Sequence, residues 1–327
     1  MAIETNTLTT YDAKGIREDL SDVIYNISPE DTPFMQNAGR ATAKNTLFEW
    51  QIDTLASADG ANAQIEGDDV DNSAGYAASD PTTRVGNYCQ ISRKTAIVSG
   101  TQEAVDKAGR RKEMAYQLAK RSKELKRDIE TICLSNQACV AGNSSTARTT
   151  GSLLAWIKTN VDKAAGDGAT PSYTTTPNAA RTDGTQRASS EAIIKAVIQK
   201  VWAAGGQPKI LMCGPINKQN ISAFSGIAEA RVNVKGAAPT TIIGAADVYV
   251  SDFGNVSVVP NRFQRERDLL FIDPEYVKIA YLRPFKTVDM SVTGDSEKKM
   301  MLTEWGLKVT NEQALGIAAD INASLNA

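Results

Sequence analysis

The densest run of side chains able to bind a cation is Asp68-Asp69-Val70-Asp71-Asn72, with Glu66 just ahead of it. Its opening resembles a calcium loop, in which carboxylates wrap a hard cation, but the glycine at the sixth position and the closing Glu are missing. A solvated acidic loop is the simpler expectation. Histidine is absent, so Ser-His-Asp and Cys-His nucleophiles, His metal ligands and His proton shuttles are excluded. Cys89, Cys133, Cys139 and Cys213 form no Cys-x-x-Cys pair, which fits free buried thiols better than a zinc or redox site. Ser296-Glu297-Lys298-Lys299 matches S-x-x-K without a companion S-D-N or K-T-G. There is no Gly-Lys for a P-loop, no G-x-G-x-x-G after a strand and no G-x-S-x-G. Sequons such as those at Asn143, Asn220 and Asn255 matter only in a secreted chain. Catalysis by carboxylates alone stays open, and it would need an acidic pocket near the strands of 209–252. No catalytic residue, cofactor or metal is expected.

The elements that would position any site have a soluble, globular composition: 327 residues, 42% hydrophobic and 23% charged. Lys plus Arg is 36 against 38 for Asp plus Glu, a net charge of −2 that argues against strong phosphate neutralisation by the chain as a whole. No apolar run approaches the roughly 18 residues that span a bilayer. Residues 1–10 are polar and lack the basic and apolar regions of a signal peptide.

Ile16, Leu20, Val23, Ile24 and Ile27 predict a short amphipathic helix, ended by Ser28-Pro29. Phe48, Trp50 and Ile52 alternate with Glu49, Gln51 and Asp53, the period of a half-buried strand. A second strand is expected over 84–98, and the polar, acidic stretch between them is a long loop tip. A helix is expected over about 103–139, with Met114, Leu118, Leu125, Ile129 and Ile132 on one stripe. Its other faces carry Arg110, Arg111, Lys112, Lys120, Arg121, Lys123, Lys126 and Arg127. The 107–127 face is a candidate nucleic-acid contact, but a solvated face laced with i,i+4 ion pairs is the simpler reading.

Residues 140–188 read as loops around a short element. A helix follows with Ile193, Ile194, Val197, Val201 and Trp202 inward, stopped by Gly205-Gly206. Then come a strand at 209–213 and a helix opened by Pro215. Later strands are expected at 247–251, 256–259, 269–273, 277–281, 287–292 and 298–310. The class is mixed α+β with a discontinuous domain.

This order of parts resembles the major capsid fold of tailed bacteriophages, shared with encapsulins and herpesvirus capsid floors. Ser28-Pro29-Glu30-Asp31-Thr32-Pro33-Phe34, the run from Asn45 to Leu55, Ser99-Gly100-Thr101-Gln102-Glu103-Ala104-Val105, Lys123-Glu124-Leu125-Lys126-Arg127-Asp128-Ile129-Glu130 and the closing 305–316 are similar to one family of tailed-phage major head proteins. The resemblance implies an N-terminal arm at 1–40 and an extended β-hairpin loop at 41–98. It implies a peripheral domain at 99–185 built on the spine helix, an axial domain at 186–285, and a return to the peripheral domain at 286–327. It implies a non-enzymatic shell protein that forms hexamers and pentamers of an icosahedral capsid around double-stranded DNA. The implied partners are copies of itself, a separate scaffolding protein, a portal and a decoration protein, with no membrane. The implied location is the virion, assembled in the host cytoplasm. No residues here license a covalent Lys–Asn crosslink.

Two subunit contacts are expected. Glu66, Asp68, Asp69 and Asp71 should meet Arg110, Arg111 or Lys112 of a neighbour. Phe48, Trp50 and Ile52 on a thin hairpin should need a neighbour to bury them. Trp305 is expected in the peripheral core. The competing readings are a cargo-holding nanocompartment, a carboxylate-dependent α/β hydrolase and a nucleic-acid binder.

Overall fold

The computed structural model describes residues 28–61, 63, 66–67, 81–164, 168–224, 247–322 and 324. The helix expected over 16–27 and the acids Asp68, Asp69 and Asp71 lie outside the described residues; Glu66 lies within them.

The chain enters through a short helix, α1 (Pro33–Asn37), and strand β1 (Gly39–Thr42). Strands β2 (Leu47–Ile52) and β3 (Thr83–Tyr88) pair antiparallel as the base of the long hairpin, and β4 (Gln90–Ser99) follows. Phe48 is buried on β2 while Glu49 and Gln51 are exposed, as the period-2 pattern predicts. The strand expected over 84–98 is two strands. At Cys89 the chain leaves β2, with the Cys89 N–H donating to the Thr46 carbonyl at 2.8 Å, and joins another sheet.

The helix expected over 103–139 is also two, α2 (Gly100–Ala104) and α3 (Glu113–Leu134). Gly109 between them takes φ of +75°, a left-handed turn that glycine adopts without a Cβ penalty. Helix α3 has 22 residues, so it runs about 33 Å. Met114, Leu125, Ile129, Cys133 and Leu134 form its buried stripe. Helix α4 (Leu153–Trp156) lies fully buried beside it.

Two sheets organise the rest. The first has the order β1-β10-β11-β4, where β10 (Val277–Asp289) and β11 (Ser296–Val309) form a long antiparallel ribbon. The strands expected separately at 277–281 and 287–292 are the single β10, with register shifts between Tyr281 and Lys286. The second sheet has the order β5-β12-β9-β6-β8-β7. Its strands are β5 (Val161–Asp162), β6 (Ile210–Cys213), β7 (Val248–Ser251), β8 (Gly254–Pro260), β9 (Asp268–Ile272) and β12 (Gly316–Ala319). The boundary expected at 285/286 therefore falls inside β10, and β5 and β12 extend the second sheet from outside 186–285.

Both faces of the second sheet are covered. Ile210, Met212, Leu270 and Ile272 share a core with Ile129 and Cys133 of α3, Trp156, and Ile279, Trp305 and Leu307 of the first sheet. Leu211, Cys213, Leu269 and Phe271 face the other way, toward α5 (Glu191–Ala203) and α6 (Pro215–Ser222). Helix α5 buries Ile194, Val197, Ile198 and Val201. It sits close to β12 because Gly316 has no Cβ, which would stand 2.7 Å from methyl carbons of Val197 and Val201. Trp202, expected inward, is 56% exposed and packs on Phe253 with ring centroids 5.1 Å apart.

Candidate functional site

The hairpin base is where the sequence points to a missing partner, and the chain supplies that partner itself. Phe48 lies in a small cluster with Ala43, Cys89 and Ala280. Its ring fills the space left by Gly306, whose Cβ would meet it at 2.5 Å. Trp50 lies 5.5 Å from Trp156, under the Lys308 ammonium at 5.2 Å, and its indole N–H donates to the Thr310 carbonyl at 3.1 Å. Ile52 packs against the main core. The expectation that Phe48, Trp50 and Ile52 wait for a neighbour is corrected for Phe48: residues far along the chain fold back over the hairpin base, bury Phe48 and half-bury Trp50 and Ile52. Just beyond β2, Leu55 is 99% exposed.

Arg110, Arg111 and Lys112 occupy the turn before α3. Arg110 pairs with Glu113 and its guanidinium carbon lies 5.5 Å from the Tyr116 ring centroid, whereas Arg111 and Lys112 are exposed. Lys112 caps α3 without a side-chain bond. That role falls to Glu103, whose carboxylate accepts from the N–H groups of Glu113 at 3.0 Å and Met114 at 3.4 Å. A carboxylate there also favours the positive end of the helix dipole. Within the chain, no ion pair among the described residues joins Glu66 to Arg110, Arg111 or Lys112.

Three buried polar sites went unread in the sequence. The first is Glu130, fully buried on α3 and in no ion pair among the described residues. It accepts from the N–H groups of Phe34 at 2.7 Å and Met35 at 2.9 Å, and from the Asn261 amide at 2.7 Å. One carboxylate thereby ties α1 to α3 and to the loop after β8. Burial pushes its pKa up, against those three hydrogen bonds. A sequence signal did exist: an acid in the last turns of a helix opposes the dipole and calls for a specific partner.

The second site gathers Arg181, Asp183, Arg265, Arg267, Asp268 and Asp320, where three arginines meet three aspartates. The Arg181, Asp268 and Asp320 side chains are at most 1% exposed. Asp320 takes a left-handed φ of 60°, which Asp tolerates, and accepts from Arg181, from the Gly184 N–H at 2.9 Å and from Arg267 at 2.8 Å. The cations hold its carboxyl below the ordinary value despite burial. Asp268 is less well served. Its oxygens stand 3.5 Å from Arg181 and from Arg265, and desolvation raises its pKa to about 6. The third site is Glu304, buried between Arg148 at 2.6 Å and Arg283 at 2.7 Å. Among the described residues, the buried acids at the ends of β9 and β12, Asp268 and Asp320, face arginine side chains. Among the described residues no group of His, Cys, Asp and Glu could hold a metal ion, and no helix is long and apolar enough to cross a membrane. All four cysteines are free and buried, and burial raises Cys89 to about 11 and Cys213 to about 12, which makes them poor nucleophiles.

A spine helix against a long β-ribbon, a base-buried hairpin and a second sheet with helices on one side define the class: this is the capsid-subunit fold of tailed phages and encapsulins. A subunit of the cyanophage A-1(L) capsid superposes with a TM-score of 0.65 at 12% identity, covering 96% of this chain and 98% of that one. The encapsulin of Synechococcus elongatus PCC 7942 superposes with a TM-score of 0.53 at 11% identity, covering 96% and 95%. The major capsid protein of Escherichia phage Phieco32 is 29% identical over 349 aligned positions, 94% of this chain and 95% of that protein. Residues 3–322 match the SU10 major capsid protein family, and the chain belongs to that family. It is a structural component of the phage capsid, and its place is in the virion.

Proposed function

We propose that this chain self-assembles into hexamers and pentamers of an icosahedral shell that encloses double-stranded DNA. The match to a major capsid family over nearly the whole chain carries this reading. The geometry supports it: the hairpin is anchored at its base by the chain's own core, and the sequence between its strands holds no basic residue. In the assembly, Glu66, Asp68, Asp69 and Asp71 of one copy meet Arg111 and Lys112 of the next, with Arg110 held back by Glu113. Scaffolding, portal and decoration proteins complete the particle, which forms in the host cytoplasm, and the chain has no catalytic role.

Sedimentation with negative-stain electron microscopy of the purified chain, at low and moderate salt, tests this. Rings of five or six, tubes or closed shells are expected. A monomer under all conditions, with its scaffolding protein present, would overturn it. An encapsulin shares the fold, so a protein-holding compartment is the second reading. Nuclease-protected DNA inside particles from infected cells supports the first, and an enclosed protein cargo supports the second.

A further inference from the structure

The exposed side of α3 carries charge that the fold leaves unbalanced. Every described carboxylate on or against this helix is engaged. Glu113 pairs with Arg110, Glu124 with Arg121 at 2.6 Å, Asp128 with Lys94 at 2.8 Å and Glu30 with Lys123 at 2.7 Å. Glu103 and Glu130 accept backbone N–H groups. The ladder of i,i+4 pairs expected from the sequence did not form, because the acids found cations outside the helix or at i,i+3.

Lys120, Lys126 and Arg127 are left without a carboxylate among the described residues. Arg127 makes one long bond, to the Pro29 carbonyl at 3.5 Å. At about 100° per residue these three cations and Lys123 fall within an arc of about 120°, over about 10 Å of helix. Ala119 lies in the same arc and leaves it low.

The chemistry of this patch separates two kinds of partner. A protein contact wants an apolar or aromatic centre. Among the described residues no exposed large hydrophobic residue is on α3, and the aromatic in this arc, Tyr116, is half-buried with the Arg110 guanidinium over its ring. A phosphate backbone wants cations on a low surface and no apolar centre. We infer that the mid-helix face of α3 is the lumenal face of the shell, where Lys120, Lys126 and Arg127 contact phosphates of the enclosed duplex without reading its sequence. This rests on the shell reading above.

The test measures binding of the full chain to a labelled duplex of about 30 base pairs, by fluorescence anisotropy from about 50 to about 200 mM salt. Three lost contacts should lower the slope of log K against log salt by about 2 to 3 in the K120Q/K126Q/R127Q variant, and lower affinity at least tenfold at the lowest salt. A control variant, K44Q/K286Q, at exposed lysines outside α3, should change binding little, and both should keep the wild-type melting temperature. An unchanged slope in the triple variant, or an equal loss in the control one, would overturn the assignment. So would displacement of the duplex by a peptide of residues 51–83 from wild type and triple variant alike, which would place the duplex elsewhere. Particles are then imaged: normal shells of the triple variant holding less DNA support the inference. Failure of the wild-type chain to form shells would count against the shell reading, while the duplex measurement would still decide the face.

Discussion

Asp268 sits wholly inside the protein, and its two nearest cations stand at 3.5 Å while those around Asp320 are closer. Desolvation therefore wins at Asp268, whose pKa rises from 3.8 to about 6. Between those values the folded state holds a proton that the unfolded chain has released. The stability this group contributes is present below pH ~4, declines as pH rises and is lost above about 6. That rise corresponds to at most about 3 kcal/mol. Glu130, also raised, acts in the same direction. Asp320, held low, contributes stability above its unfolded pKa that is lost as pH falls through its folded one. The expected outcome is that Asp268→Asn removes a decline in urea-unfolding free energy that wild type shows from pH 4.5 to 7. Parallel curves for the two proteins would mean that Asp268 ionises like an exposed carboxyl.

The packing of β11 against β4 gives the element-scale prediction. Trp305 is fully buried on β11, and its indole N–H donates to the Ser92 hydroxyl of β4 at 3.0 Å. Trp305→Ala should cost about 3–5 kcal/mol, because the cavity lies between two sheets and α3 and cannot collapse readily. A melting temperature equal to that of wild type would contradict this placement. Which elements were legible follows from how local their causes are. The alternation of Phe48, Trp50 and Ile52, the stripe of α3, the Pro215 helix start and the Gly205 stop are set by residues within a few positions of one another. The break at Cys89, the fusion of β10 and the recruitment of β5 and β12 into the second sheet are set by pairing partners far along the chain. The Arg181–Asp320 pair spans 139 positions, and nothing near either residue marks it. Phe48 and Trp50 were legible as a buried face, but what covers them was not, since Gly306 and Thr310 arrive from the other end of the sequence.

At the scale of the whole molecule, the question is what joins one subunit to the next. Residues 51–83 include Asp53, Asp59, Glu66, Asp68, Asp69, Asp71 and Asp80 and no Lys or Arg, so this stretch cannot balance its own charge. Arg111 and Lys112 are exposed cations with no carboxylate among the described residues. Single exposed pairs contribute only about 0–1 kcal/mol, so the effect must come from several pairs per contact and many contacts per shell. With two pairs at about 0.5 kcal/mol each, one to Arg111 and one to Lys112, the contact weakens by about 1 kcal/mol, which raises the critical concentration for assembly about fivefold. Combining Glu66→Gln with Asp68→Asn, Asp69→Asn and Asp71→Asn should therefore leave the melting temperature unchanged and shift assembly to higher protein concentration. The shift should shrink as salt rises, because screening already removes these pairs from wild type. Arg111→Gln with Lys112→Gln should reproduce part of it, and adding both sets together should cost less than their sum, since partners in one contact do not add independently. A critical concentration that matches wild type at every salt would show that the acidic stretch makes no subunit contact and that the shell is joined elsewhere.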